Sequence, residues 1–158
     1  MQEAPVGTIY LLKRAELAVR SCMEGCLARF GLTPTQFLML FRLRDSHDMS
    51  AADLARAMGV RPQSITEIIG PLERKKLLKR SASPGNRRIL YTHLTPEAHT
   101  LLARALRAAE SVEAELFAHV NGDEMARMQK FLDSLRQHAE NHELHANFKR
   151  ARVASALE

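Results

Sequence analysis

Four polar side chains fall on one side of a short amphipathic stretch, and their types suit hydrogen bonding to a nucleic-acid duplex. Arg61, Gln63, Ser64 and Thr66 alternate with Ile65, Ile68, Ile69 and Leu72, which gather on one face at helical spacing. The polar groups, with Glu67, lie largely on the other. Arginine and glutamine carry donor and acceptor sets that match base edges in a major groove, while hydroxyls serve bases or phosphates alike. Charge is concentrated around this stretch. From Ala51 to Leu94 there are nine Lys/Arg against three acids, a net of +6, whereas the whole 158-residue chain carries +5. Positive charge confined to one module marks a polyanion partner.

Other chemistries have less to stand on. Cys22 and Cys26 are one helical turn apart, but they sit in an apolar seam where a free cysteine packs as a small hydrophobe. His138, His142 and His145 share one helical face, with Glu140 and Glu143 nearby; the spacing suits metal ligands, yet no cysteine or aspartate completes a set locally. There is no Gly-rich phosphate loop, nucleophile elbow or Ser/His/Asp arrangement, so neither an enzyme nor a cofactor is expected. Aromatics make up 5% and tryptophan is absent, which leaves no stacking platform for single strands. No apolar run reaches membrane-spanning length, and two cysteines without a signal-like start imply a reducing, cytoplasmic setting. The basic run at 149–152 reads as a solvated tail.

The elements that must position Arg61–Thr66 are marked by local signals. Ser50 with Asp53 three residues on opens a helix whose apolar face is Leu54, Ala55 and Met58, and Gly59 ends it. Pro62 suits a first helical position, so a second helix begins near Arg61 and runs to about Lys75. Pro71 inside it removes one backbone bond and predicts a bend, and Lys76 must end it where a positive φ favours glycine. A β-hairpin with a basic tip follows. Upstream, Thr33-Pro34-Thr35-Gln36 is a capping box for a helix burying Phe37, Leu40, Phe41 and Leu43. Residues 7–30 form a long helix with a seam of Leu12, Ala15, Val19, Cys22 and Cys26, flanked by Met23, Leu27 and Phe30, and ended by Gly31. After the hairpin, Thr95 caps a helix carrying Ala98, Leu101, Ala105, Ala109, Val112, Leu116 and Val120. Asn121-Gly122-Asp123 breaks the chain before a last helix with Met125, Met128, Leu132, Leu135 and Ala139. Long amphipathic helices at both ends bury little alone, which predicts a homodimer with the terminal helices interleaved.

Three segments, LTPTQFLMLFRL at 32–43, SAADLARAMGVRPQSITEIIGPLE at 50–73 and SPGNRRILYTHLTPEA at 83–98, together resemble the MarR (multiple-antibiotic-resistance regulator) family of bacterial transcription factors. Their order and spacing fit the family, as does the chain length. The resemblance implies a mainly α fold with a small β-hairpin wing. A winged helix-turn-helix lobe over 33–94 joins a helical dimerisation lobe formed by the N- and C-terminal helices, 7–30 and 96–145, in one subunit spanning 1–158. Asn86 stands where the family usually carries an acid before its two arginines.

On this reading the partners are a second copy of the chain and double-stranded DNA with a pseudo-palindromic operator, with half-sites about one helical turn apart. Arg61, Gln63, Ser64 and Thr66 contact base edges or adjacent phosphates. Arg87 and Arg88 reach phosphate or the flanking minor groove, with Asn86 shaping the wing tip, and Lys75, Lys76 and Lys79 add non-specific attraction. The resemblance also implies an effector, a small aromatic carboxylate held between the dimer helices and the DNA lobe, with Tyr10 and Arg14 near its entrance. The expected function is a repressor released by such an acid. A thiol or metal sensor on the same scaffold is the alternative within regulation. A winged-helix protein–protein module is the alternative outside it, and would present a neutral or apolar recognition face.

Overall fold

Helix ends organise this molecule, and three of them are built alike. In the computed structural model, which describes residues 7–46, 49–83 and 85–140, the first helix α1 (Thr8–Ala28) closes on Gly31 at φ +65°. Gly31 N–H donates to the Ala28 carbonyl and Leu32 N–H reaches back to Leu27 at 3.3 Å. Helix α3 (Ala51–Met58) closes in the same way on Gly59 at φ +64°, with Val60 N–H to Ala55 at 3.0 Å. Helix α4 (Pro62–Arg74) repeats the pattern without glycine: Lys76 takes φ +58°, its N–H donates to Glu73 at 2.8 Å, and Leu77 N–H donates to Leu72 at 2.9 Å. A left-handed residue lets two orphan carbonyls be satisfied before the chain turns away. The helix continues through Pro71 for another turn before this closure.

Helix starts follow their capping signals. Thr33 accepts from Gln36 N–H and Gln36 returns the bond to Thr33, opening α2 (Pro34–Arg44). Ser50 and Asp53 do the same for α3: Asp53 accepts the Ser50 hydroxyl at 2.6 Å and its N–H at 3.0 Å. These bonds, the hydroxyl first, together with Arg56, hold the Asp53 carboxyl below the usual aspartate range. Asn121 and Glu124 exchange the equivalent pair at α6 (Gly122–Glu140).

The sheet is antiparallel with order β1-β3-β2, where β1 is Met49–Ser50, β2 is Leu78–Ser83 and β3 is Asn86–Leu94. The wing hairpin pairs Leu78 with Leu94 and Arg80 with Thr92, and its register shifts between Ala82 and Ser83. Sequence reading anticipated the hairpin but not β1, whose two residues become a strand only by pairing with Thr92 and Tyr91.

The chain divides into two units, the first ending at Glu115 and the second beginning at Leu116. In the first, Leu27, Met39, Leu40, Leu54, Ile65, Ile69, Leu72 and Leu102 are fully buried, so the ends of α1, α2, α3, α4 and the start of α5 (Pro96–Leu116) meet in one core. Two expectations about that core need correction. Phe37 and Phe41 are only half-buried at its edge, and Met39 takes the interior place on α2. On α5 the buried line is Ala98, Leu102, Ala105 and Ala108, rotated from the expected Leu101–Ala109 line, and Val120 lies beyond the helix. On α1 Leu27 alone is buried within the single chain, while Ile9, Leu11, Leu17 and Val19 stand exposed. In the second unit α6 exposes Phe131, Leu132 and Leu135.

Candidate nucleic-acid interface

The candidate interface is built on α4, which burial orients. Ile65, Ile69 and Leu72 are sealed in the core, so Arg61, Gln63, Thr66 and Glu67 are turned to solvent and Ser64 is half-buried at the margin. Arg61 is the N-cap in extended conformation and makes no capping bond, and Pro62 fills the first helical position. The N-terminal end of α4 therefore meets solvent uncapped, and its dipole favours a negative partner there.

Its other end is moored from two sides. The Lys75 ammonium donates to the Gly31 carbonyl, tying α4 to the turn after α1. On the wing side, the Arg80 guanidinium on β2 pairs with Glu73 at 2.8 Å, both side chains about one-third exposed. The loop between α4 and β2 is fixed by Thr95. Its hydroxyl donates to the Lys76 carbonyl at 2.8 Å and accepts from Ala98 N–H at 3.2 Å, while its N–H donates to Leu77 at 3.1 Å. One residue thus caps α5 and clasps the exit from α4. Sequence reading found the cap and missed the clasp, since Lys76 is nineteen positions away.

These ties sort the positive charge of the module. Arg56 pairs with Asp53, Arg80 with Glu73, and Lys75 is engaged by Gly31, so the lysine expected to add loose attraction has a structural partner. Arg61, Lys76 and Lys79 are exposed and form no ion pair among the described residues. In the wing, Asn86 opens β3 and is exposed. Arg87 and Arg88 continue the strand, but their side chains lie outside the described part of the structure.

The remaining expected sites are scattered. Tyr10 and Arg14 share the exposed face of α1, the guanidinium 5.8 Å from the ring centre, and Tyr10 is 56% exposed. Cys22 is exposed and Cys26 half-buried, both as free thiols, so the chain by itself does not bury them as the seam suggested. His138 lies in the last turn of α6; His142, His145 and the basic run at 149–152 lie outside the described residues. No helix among the described residues is long and apolar enough to cross a membrane.

Comparison with known proteins bears on the family and the fold. The MarR family model matches residues 32–90, from the start of α2 into the wing. An HTH-type transcriptional repressor of Mycobacterium tuberculosis is 30% identical over 133 residues, covering 84% of this chain and 94% of the relative. Among solved structures, the repressor CouR bound to a 23-mer DNA duplex superposes with a TM-score of 0.79 at 27% identity, covering 82% of this chain and 92% of that one. BpsR of Bordetella bronchiseptica, described by the regulation of its DNA binding by 6-hydroxynicotinic acid, gives 0.77 at 26% identity, covering 82% and 93%. The mostly helical fold with its small winged sheet is shared with these structures. The chain belongs to the MarR family, whose members are DNA-binding transcriptional regulators rather than enzymes.

Proposed function

We propose that the chain is a homodimeric repressor that reads a pseudo-palindromic operator with α4 in the major groove, and that a small aromatic acid releases it. The observation that carries this reading is the two-sidedness of α4. Ile65, Ile69 and Leu72 are buried while Arg61, Gln63 and Thr66 face solvent beside an uncapped helix start. Arg61 and Gln63 supply base-edge contacts, with Ser64 and Thr66 on bases or adjacent phosphates; Arg87 and Arg88 of the wing serve phosphate or the minor groove, with Asn86 shaping its tip.

Dimerisation is supported by what single subunits leave uncovered. Ile9 is 84% exposed on α1, and Phe131 56% exposed on α6, a poor state for large apolar groups unless another copy covers them. The effector class is supported by likeness to BpsR, whose DNA binding responds to an aromatic acid. Tyr10 and Arg14 offer a ring and a guanidinium fork on one helix face, the pair such an acid requires.

The test is fluorescence anisotropy with duplex DNA from upstream of the chain's own gene, in rising salt, against a scrambled duplex. Selective binding with a steep salt slope is expected, lowered by aromatic acids in the wild type and less so after Arg14→Ala. Gln63→Ala should alter preference at particular base pairs; uniform weakening across sequences would remove glutamine from the base-reading role. Equal, weak binding to both duplexes would instead favour a protein partner for this face.

A further inference from the structure

A second concave site lies outside the positive module. The end of α1 and the middle of α5 flank an open hollow of about 370 Å³ lined by Arg29, Phe30, Arg104 and Arg107. Arg104 and Arg107 are three residues apart on α5 and so share a face. Arg29 lies over the Phe30 ring at 5.0 Å and Arg104 at 5.8 Å. Among the described residues no carboxylate comes within 4.0 Å of any of the three guanidinium groups. Like charges gathered on one hollow repel, and an unneutralised cluster of this kind is a counter-charge awaiting a partner.

We propose that this hollow binds the phosphate groups of a small molecule. The ring of Phe30 restrains two of the guanidinium groups, and a guanidinium carried on an aromatic face keeps its rim of N–H donors free for an anion. Three such forks offer more donors than the two oxygens of one carboxylate accept. Phosphate and diphosphate present three or more terminal oxygens and more than one negative charge, which matches the set. All three arginines lie outside Ala51–Leu94, and none of the residues that line the hollow belongs to α4. The site is also separate from Tyr10 and Arg14, which stand near the opposite end of α1.

The experiment uses isothermal calorimetry on the full chain without DNA, with pyrophosphate as the probe and sodium chloride at matched ionic strength as the control. Because binding is read without DNA, its failure and a failure of the repressor reading are separate results. Saturable pyrophosphate binding is expected. It should weaken at least tenfold in Arg104→Gln/Arg107→Gln, with the circular dichroism spectrum and thermal midpoint unchanged. The single Arg29→Gln variant, just past the end of α1, should weaken it as well, which keeps the test open if the double variant misfolds. The proposal is overturned if the wild type binds pyrophosphate no better than chloride, or if folded variants bind it as tightly as the wild type. It is overturned equally if the double variant lowers the salt slope of duplex binding by about two, since the arginines would then be contacts to the DNA backbone.

Discussion

Replacing Thr95 by valine tests whether one hydroxyl holds α5 and the exit of α4 together. The substitution keeps volume and β-branching, so the change isolates the oxygen. The cap on Ala98 N–H at 3.2 Å and the bond to the Lys76 carbonyl at 2.8 Å are lost, together with a longer contact from the same hydroxyl to the Leu77 carbonyl at 3.4 Å. Removing an N-cap oxygen costs about 1 kcal/mol. A neutral hydrogen bond contributes about 1 kcal/mol net, and the Lys76 carbonyl, close to solvent, recovers part of that from water. The expected loss is therefore about 1.5–2 kcal/mol, close to twentyfold in the folding constant. Urea unfolding monitored by circular dichroism measures it, at one fixed protein concentration because any self-association adds to apparent stability. Thr95→Ser retains these bonds and should lose well under half as much. If serine and valine variants fall by the same amount, the methyl group rather than the hydroxyl matters and the clasp is refuted.

Lys76→Gly should stabilise the protein by about 0.5–1 kcal/mol, because the left-handed conformation costs an L-residue roughly 1–2 kcal/mol and glycine returns only part of that as chain entropy; a lower urea midpoint would show that Lys76 contributes something its φ of +58° hides. Asp53 has its folded pKa depressed, so its contribution is present above the unfolded value of about 3.9 and lost as pH falls through the folded one. The stability gap between wild type and Asp53→Asn should be level from pH 5 to 8 and close below about pH 4; a gap that persists at pH 2 would detach the effect from ionisation. Arg88→Ala should weaken binding to every duplex alike and reduce the salt slope by about one, and an unchanged slope would take Arg88 off the phosphate backbone.

What the sequence made legible was local. Ser50 with Asp53, Thr33 with Gln36 and Gly31, Gly59 and Lys76 as stops are signals contained within three or four residues, and each reappears as a bond or a left-handed φ. The facing of α4 was equally readable, because helical periodicity alone turns Ile65 and Ile69 inward and Gln63 and Thr66 outward. Non-local choices were not. Met49–Ser50 is too short to announce a strand, and its partners lie in Tyr91–Thr92. Periodicity marks a stripe on α5 but not which of two adjacent lines, Leu101 or Leu102, the first unit covers. Charge counting treated Lys75 and Arg80 as members of a basic surface, whereas a carbonyl forty-four residues away and Glu73 engage them. The arginine hollow joins positions 29 and 104, and no pattern along the chain connects those.

The mooring of α4 is uneven. Its C-terminal end at Lys75, Lys76 and Glu73 is held by α1, by Thr95 and by the wing, whereas only Arg61–Gln63 at the other end project beyond the buried Ile65. Thirteen residues of helix span about 20 Å. A tilt of about 5° over that length moves the far end by about 1.7 Å, more than the distance tolerance of a hydrogen bond. Because Ile65 and Ile69 are buried, a displacement passed from the end of α1 to Arg61–Gln63 must carry the core around them with it. If α4 reads DNA as proposed, the Lys75 bond makes the turn at Gly31 a direct link between the N-terminal helix and the reading helix.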